Sequence, residues 1–234
     1  MAFNYSPKIV TNGLAMYLDA ANTKSYVSGS TTAYSLTGSI NGSLINGTGY
    51  SNINGGAWRF DGIDDSIFYG LQPINFNPST QPFSMGGWAN LLSTGGNGNR
   101  AVILDICGTN TSRLYIAIDK TNLRLIVDIR PPAGTVYVPV SGNTNSISLG
   151  RWVYGMVTFD GGTINLYQNG ELISTATGFT NYPVINYNWY SGFQDDDDAD
   201  MNGYISSVSF YLKTLSASEV LQNYNAIKSR YGLL

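Results

Sequence analysis

The sequence predicts an all-β protein, a two-sheet antiparallel sandwich with one short helix near its carboxyl end. Three observations carry that prediction. Glycine and proline, 27 and 8 of the 234 residues, break the chain about every seven residues, close to the usual strand length of about 5 to 6. Apolar residues recur with period two in several segments, as in strands with one face in a core. A single stretch has helical spacing, and a capping signal precedes it.

Taken in order, residues 1–12 read as a first edge strand or as a docking arm. Residues 25–54, full of Ser, Thr, Gly and Asn, read as a long surface excursion after the first strand. Cys107 ends the apolar run of residues 101–107 and reads as a buried strand residue. Leu114, Ile116 and Ile118 share one face. In residues 122–130, Leu123, Leu125, Val127 and Ile129 alternate with Arg124, Asp128 and Arg130, so one face is expected in the core and the other in water. Residues 152–159, 163–168 and 171–177 form a meander, turned at Asp160-Gly161-Gly162 and at Asn169-Gly170. The second pair accepts the positive φ of a type I′ hairpin. Tyr204, Val208, Phe210 and Leu212 are expected on one face of a late strand.

Ser216-Ala217-Ser218-Glu219 has the form of a capping box. It opens a helix over residues 216–231, with Val220, Tyr224, Ile227 and Tyr231 as an apolar stripe and Gly232 as a left-handed stop. That helix reads as a lid over a sheet edge or the core, and Trp58, Trp88 and Trp152 read as core. No linker or composition shift divides the chain, so residues 1–234 are expected to form one domain.

Composition removes several function classes. The net charge is -3, and the twelve Lys and Arg are scattered, which argues against neutralising nucleic-acid phosphates. The chain has no His, so Ser-His-Asp and Cys-His nucleophile pairs, His zinc sites and a His general base are excluded. Its single Cys cannot form an internal disulfide. The amino terminus lacks the charged and apolar regions of a signal peptide, and no apolar run approaches the roughly 20 residues of a membrane span, so no membrane insertion is expected.

Residues 13–26 and 60–67, then Phe83-Ser84-Met85-Gly86-Gly87-Trp88, resemble concanavalin A-like, laminin G-type jelly rolls. So do Arg151-Trp152-Val153, Phe159-Asp160-Gly161, residues 166–170, Asn202-Gly203-Tyr204-Ile205 and residues 215–220, in the family's order. One departure stands out: Ser206 and Ser207 follow Gly203-Tyr204-Ile205 where the family often has an acidic residue. Residues 222–232 resemble the ends of such domains in structural proteins of tailed bacteriophages. That resemblance implies a virion protein made in the host cytoplasm and released by lysis.

Glucanases of this superfamily place their catalytic acids, largely Glu, at alternate positions of one strand. Here the only two Glu are Glu171, beside a turn, and Glu219, in the capping box. Asp119 and Asp128 fall on different strand segments and read as solvent-facing. A glycosidase needs two carboxyl groups flanking the scissile bond, so the expectation is a protein without enzymatic activity.

The carboxylates that cluster suit calcium, which takes six to eight oxygen ligands. Asp195, Asp196, Asp197, Asp198 and Asp200 crowd six positions between two strands, and the pentraxin branch of the resembling family places calcium ligands in the corresponding loop. A solvated acidic loop is the alternative. Asp61, Asp64 and Asp65 form a second candidate, with Asp19 as a further oxygen donor; the alternative there is a tight Asp-Gly turn with capping carboxylates. A glycan site needs flat aromatic faces and amides, which Tyr187, Asn188, Trp189 and Tyr190 supply. Two function classes remain: a virion surface module adhering to host glycans, and a capsid or tail decoration protein that binds neighbouring virion proteins and no sugar.

Overall fold

The structure is a computed structural model describing residues 8–38, 40–71, 73–77, 81–107, 113–130, 140–144, 146–178, 188–193 and 200–233, with backbone alone at Cys107, Arg113 and Arg130. In chain order its strands are β1 (Leu14–Asp19), β2 (Thr32–Tyr34), β3 (Asn41–Ile45), β4 (Gly49–Ser51), β5 (Ala57–Asp61), β6 (Ser66–Leu71), β7 (Phe83–Leu91) and β8 (Arg100–Cys107). There follow β9 (Arg113–Asp119), β10 (Arg124–Arg130), β11 (Val140–Ser141), β12 (Trp152–Phe159), β13 (Thr163–Gln168), β14 (Glu171–Thr177), β15 (Asn188–Ser191) and β16 (Asn202–Tyr211), then helix α1 (Ala217–Ile227). A 3-10 turn continues α1 over Lys228–Tyr231. Among the described residues no helix is long and apolar enough to cross a membrane.

The strands form two sheets. The first runs β14-β13-β12-β7-β16-β5-β4, and β1 also pairs with β16; the second runs β11-β10-β9-β8-β15-β6-β3-β2. Their inner faces share one core containing Met16, Trp58, Phe60, Ile116, Leu125, Val157, Trp189 and Phe210. Each such side chain, fully withdrawn from water, contributes on the order of 1.5 to 3 kcal/mol. The meander has the bounds expected from sequence, and Asn169 and Gly170 take φ of 53° and 86°, the left-handed pair of a type I′ turn. Across β7, a Cβ at Gly87 would stand 2.2 Å from the carbonyl oxygen of Ser207, so the close approach to β16 requires glycine there.

β7 is buried along its whole length because both sheet faces are covered. On the outer side lies a second apolar cluster, in which Trp88, Trp152 and Tyr154 of the sheet meet Val220, Tyr224, Ile227 and Tyr231. The Tyr231 ring sits 4.3 Å from Trp88 and 4.5 Å from Trp152, centroid to centroid. The helix therefore covers a sheet face rather than an edge, because Trp88 and Trp152 point away from the inter-sheet core and need their own cover. Both halves of the capping box are formed, and Gly232 is left-handed at φ 68°. Arg230 clasps the carboxylate of Asp19 through two contacts of 2.7 and 2.8 Å, tying the C-terminal segment to β1.

Several expectations are corrected by tertiary context. Residues 25–54 are not one loop: they hold β2 and β3, which lengthen one sheet, and β4, which lengthens the other. Tyr204 does not share a face with Val208 and Phe210. The register shifts between Ile205 and Ser207, and the irregularity at Ser206 moves the downstream side chains to the opposite parity. Leu123 is a left-handed turn residue at φ 45°. Asp128 is fully buried rather than wet, accepting from the Tyr115 hydroxyl at 2.7 Å. Of residues 1–12, the first seven lie outside the described residues; Lys8 to Asn12 form no strand. Instead Val10 N donates to Asn223 Oδ1 at 2.7 Å and Gln222 Nε2 to the Lys8 carbonyl at 2.7 Å. Cys107 ends β8, its side chain lying outside the described atoms.

Candidate functional site

Two regions bring chemistry-bearing residues together, and β16 sets the first. Asp61, the last residue of β5, pairs with Asn202 at the start of β16, and the turn that follows it leads into β6. One carboxylate oxygen each from Asp61, Asp64 and Asp65 lies within 4.8 Å of the others. Calcium–oxygen distances run from 2.3 to 2.6 Å, so oxygens around one ion are at most about 5 Å apart, and the three meet that condition. The turn is also held by its own backbone: Ile63 N donates to Asp61 Oδ1 at 2.8 Å and Asp61 N to Asp65 Oδ2 at 2.9 Å. Asn46 and Asn97 brace it from outside by donating to the carbonyls of Asp64 and Ile63. Burial pushes the Asp65 carboxyl up to about 6; the charges of Asp61 and Asp64 act in the same direction, while the Asp61 N–H and Arg59 oppose them.

Asp200 stands at the same end. Its N–H reaches the Asn97 carbonyl at 3.4 Å, and Lys120 Nζ donates to that carbonyl at 2.7 Å and to the Asp200 carbonyl at 3.4 Å. Burial lowers the pKa of Lys120, and the Asp200 charge opposes that. Asp195, Asp196, Asp197 and Asp198 lie outside the described residues. Both flanks of their run are at this end, joined by Met201 N donating to the Gly192 carbonyl at 2.8 Å.

Asp19 is not part of this group. It pairs with Ser207, five positions along β16 from Asn202, which puts it about 16 Å from Asp61 at the usual rise per strand residue. Both of its oxygens are engaged by Arg230.

The second region is the outer face of the second sheet. Ladder register sets Phe68, Tyr190, Asp105, Tyr115 and Asp128 in one row across β6, β15, β8, β9 and β10. Asn188 and Tyr190 are partly exposed on this face, as the glycan reading requires. Tyr187 lies outside the described residues. Trp189 is corrected: alternation turns it inward, it is 1 % exposed, and its ring packs edge-on against Phe210 at 4.7 Å, so its faces are not open to a ligand. Phe68 and Phe193 take its place, with ring centroids 5.0 and 5.7 Å from Tyr190. Asp105 and Asp128 are 0 % exposed and so are not presented to a glycosidic bond.

Beyond that row, a groove of about 310 Å³ is lined by Asn99, Arg100, Thr121, Asn122, Arg124 and Ser141, with Asp119 and Ile126. Asp119 shapes its turn, accepting from Thr121 N, Asn122 N, Asn122 Nδ2 and Arg124 Nε between 2.7 and 3.2 Å. Burial alone would raise the Asp119 pKa, but these donations together outweigh it and hold the carboxyl below its ordinary value. The groove is missing from the sequence reading because its parts come from four strands and the turns between them. Alternation does put Arg124 on the outer face, but only the β8–β9–β10 register brings it near Arg100.

A family model described as the concanavalin A-like lectin/glucanases superfamily, of laminin G type, matches residues 61–221. No curated protein matches the chain. Among solved structures, Trypanosoma rangeli sialidase aligns at a TM-score of 0.69 and 13% identity, over 95% of this chain and 34% of that one. The botulinum neurotoxin serotype D binding domain aligns at 0.69 and 15% identity, over 91% of this chain and 51% of its own. The type G receptor binding domain gives 0.67 and 16%, over 92% and 51%. The chain thus spans about a third of the sialidase and half of the toxin domains, and TM-scores near 0.7 at such low identity show a shared fold alone.

Proposed function

Since the chain belongs to the concanavalin A-like lectin/glucanase superfamily, we propose that it is a non-enzymatic binding module that adheres to glycans on a host surface. The observation that carries this reading is the outer face of the second sheet. That sheet carries the partly exposed rings of Phe68, Tyr190 and Phe193 and, further along its strands, a groove rich in amides and hydroxyls. Aromatic faces take the apolar side of a sugar ring, and amides and hydroxyls address its hydroxyl groups. A fold neighbour titled a receptor binding domain is in keeping with an adhesive role. The burial of Asp105 and Asp128 supports the absence of glycosidase chemistry.

Calcium belongs to this proposal as a structural ion. Asp61, Asp64 and Asp65 would hold it, with Asp200 brought to the same end by the pairing of β16 with β5. Bound there, it would neutralise the carboxylates and order the loops at that end. The tailed-phage virion is the setting we propose, supported by the likeness of residues 222–232 to the ends of such domains.

The test is adhesion of purified protein to host cells, together with binding to a glycan array, for the parent and for Tyr190→Ala. The variant is expected to lose most of its binding while keeping its melting temperature. If it binds cells like the parent but fails to join virions, the face is an assembly contact and the decoration reading replaces this one.

A further inference from the structure

We propose that the seam between α1 and the first sheet is a binding site for one structural water, which accepts from the indole N–H of Trp88 and bridges it to β16. The inference is independent of the glycan reading. A cavity at this seam, lined by Tyr17, Trp88, Ser207, Ser209, Tyr211 and Asn223, leaves about 10 Å³ for the centre of a water-sized molecule. That is the space one buried water needs.

Trp88 supplies the demand. It is fully buried, and its Nε1 has no acceptor among the described residues. An indole nitrogen can only donate, and a donor buried without an acceptor forfeits the hydrogen bond that solvent gave it in the unfolded chain. Dry cavities are lined by apolar groups. This one carries the hydroxyls of Tyr17, Ser207 and Ser209 as well as the indole. A hydroxyl both donates and accepts, so the lining offers the two to four polar partners that an ordered buried water takes.

The packing keeps the space open. Ladder register seats Ser207 opposite Trp88, and Ser209 opposite Gly86 on one side and Tyr17 on the other, so short side chains lie beside large rings. Ser207 is one of the two serines that stand where the family often has an acidic residue. The Trp88 ring is pinned from above, stacked on Tyr224 at 5.5 Å and packed on Tyr231 at 4.3 Å, centroid to centroid, so it is not free to turn toward the serines. Asn223 is already committed. Its Nδ2 donates to the Tyr211 hydroxyl at 3.0 Å, and its Oδ1 accepts from Val10 N at 2.7 Å. The Tyr17 hydroxyl donates to Asp19 Oδ2 at 3.3 Å, and Asp19 holds Arg230. The water thereby joins β7 and β16 to the pair that anchors the C-terminal segment.

Nuclear magnetic resonance on the isotope-labelled full chain tests this, with Trp88→Phe identifying the Trp88 indole signal by its disappearance. In the parent, that N–H is expected to show water cross-peaks of opposite sign in nuclear Overhauser and rotating-frame spectra, which a long-lived bound water gives and hydrogen exchange does not. The Trp58 indole, equally without an acceptor among the described residues but packed in the inter-sheet core, should show none. A crystal structure should place one water within hydrogen-bond distance of Trp88 Nε1 and of Ser207 or Ser209 Oγ. Ser209→Val fills the space, and it should abolish the Trp88 cross-peaks and lower the melting temperature. Absence of the cross-peaks in the parent, or a crystal structure with no water at Trp88 Nε1, would overturn the inference. Cross-peaks that persist unchanged in Ser209→Val would overturn it too. Should the valine variant fail to fold, the parent spectrum and crystal structure decide alone.

Discussion

Replacing Asp65 by Asn should change stability in opposite directions with and without calcium. In the folded chain the Asp65 carboxyl is pushed up to about 6 from 3.8, first by burial and then by Asp61 and Asp64. Two units at 1.36 kcal/mol each set a ceiling of about 3 kcal/mol. Solvent screening of the exposed neighbours Asp61 and Asp64 reduces this to about 1 to 2 kcal/mol. Between pH 4 and 6 the folded state holds the proton that the unfolded chain has lost. This contribution is therefore full below about pH 4 and is lost as pH rises through 6. Asn cannot ionise and still accepts from Asp61 N, so in chelator at pH 7.5 the variant should be more stable than the parent by about 1 to 2 kcal/mol. The difference should close by pH 4. Calcium reverses the sign, since an ion bound only by the folded state contributes about 2.7 kcal/mol at 100 times its dissociation constant, and the variant loses a ligand. Urea unfolding of both proteins at pH 4, 6 and 7.5, in chelator and in calcium, reads every quantity. A parent-minus-variant difference that is independent of pH in chelator would refute the electrostatic reasoning. One that calcium does not alter would refute the ion.

Three further outcomes are expected. Arg230→Met should cost about 3 to 5 kcal/mol, because it leaves the buried Asp19 carboxylate without its cation; Asp19→Asn in the same protein should recover much of that, and additive losses in urea titration would exclude the coupling. Tyr231→Ala, which empties the space between Trp88 and Trp152, should cost about 3 to 5 kcal/mol in urea unfolding and should loosen the C-terminal segment, read as faster amide exchange over residues 217–231 than in the sheets. Incubation with glucans, galactans and host polysaccharide should release no reducing ends above background, and turnover abolished by Asp105→Asn or Asp128→Asn would overturn the non-enzymatic reading.

The parts of the fold legible in the sequence are those whose signal is local. The meander of β12 to β14 declares itself through alternation and an Asn-Gly pair, and α1 through a capping box and a four-three-four stripe. What escaped depends on neighbours that lie far away in the chain. β2 to β4 carry the Gly, Ser and Asn of loops, and they are strands because longer partners offer them backbone hydrogen bonds. Trp189 and Tyr190 are adjacent and equally aromatic, yet one is core and the other surface. Only the phase of β15 against β8 decides which.

The same dependence explains how the candidate sites divide. The acidic turn at Asp61 could be read in sequence because its three carboxylates are within five positions, and a short turn can gather them with no help from the rest of the chain. Its neighbour Asp200 comes to it through β16, whose first residue pairs with Asp61. The groove needs more: β8, β9 and β10 must align so that Arg100 and Arg124 face each other across Asp119, and one residue of slip would send both arginines into the core. The buried positions of those strands, Ile103, Ile116, Leu125 and Val127, oppose any such slip, because each would have to leave the inter-sheet core for water. Core packing between the sheets is thus what positions the charges on the outer face. A substitution such as Leu125→Asp would be expected to abolish ligand binding through the register of β10, without touching a groove residue.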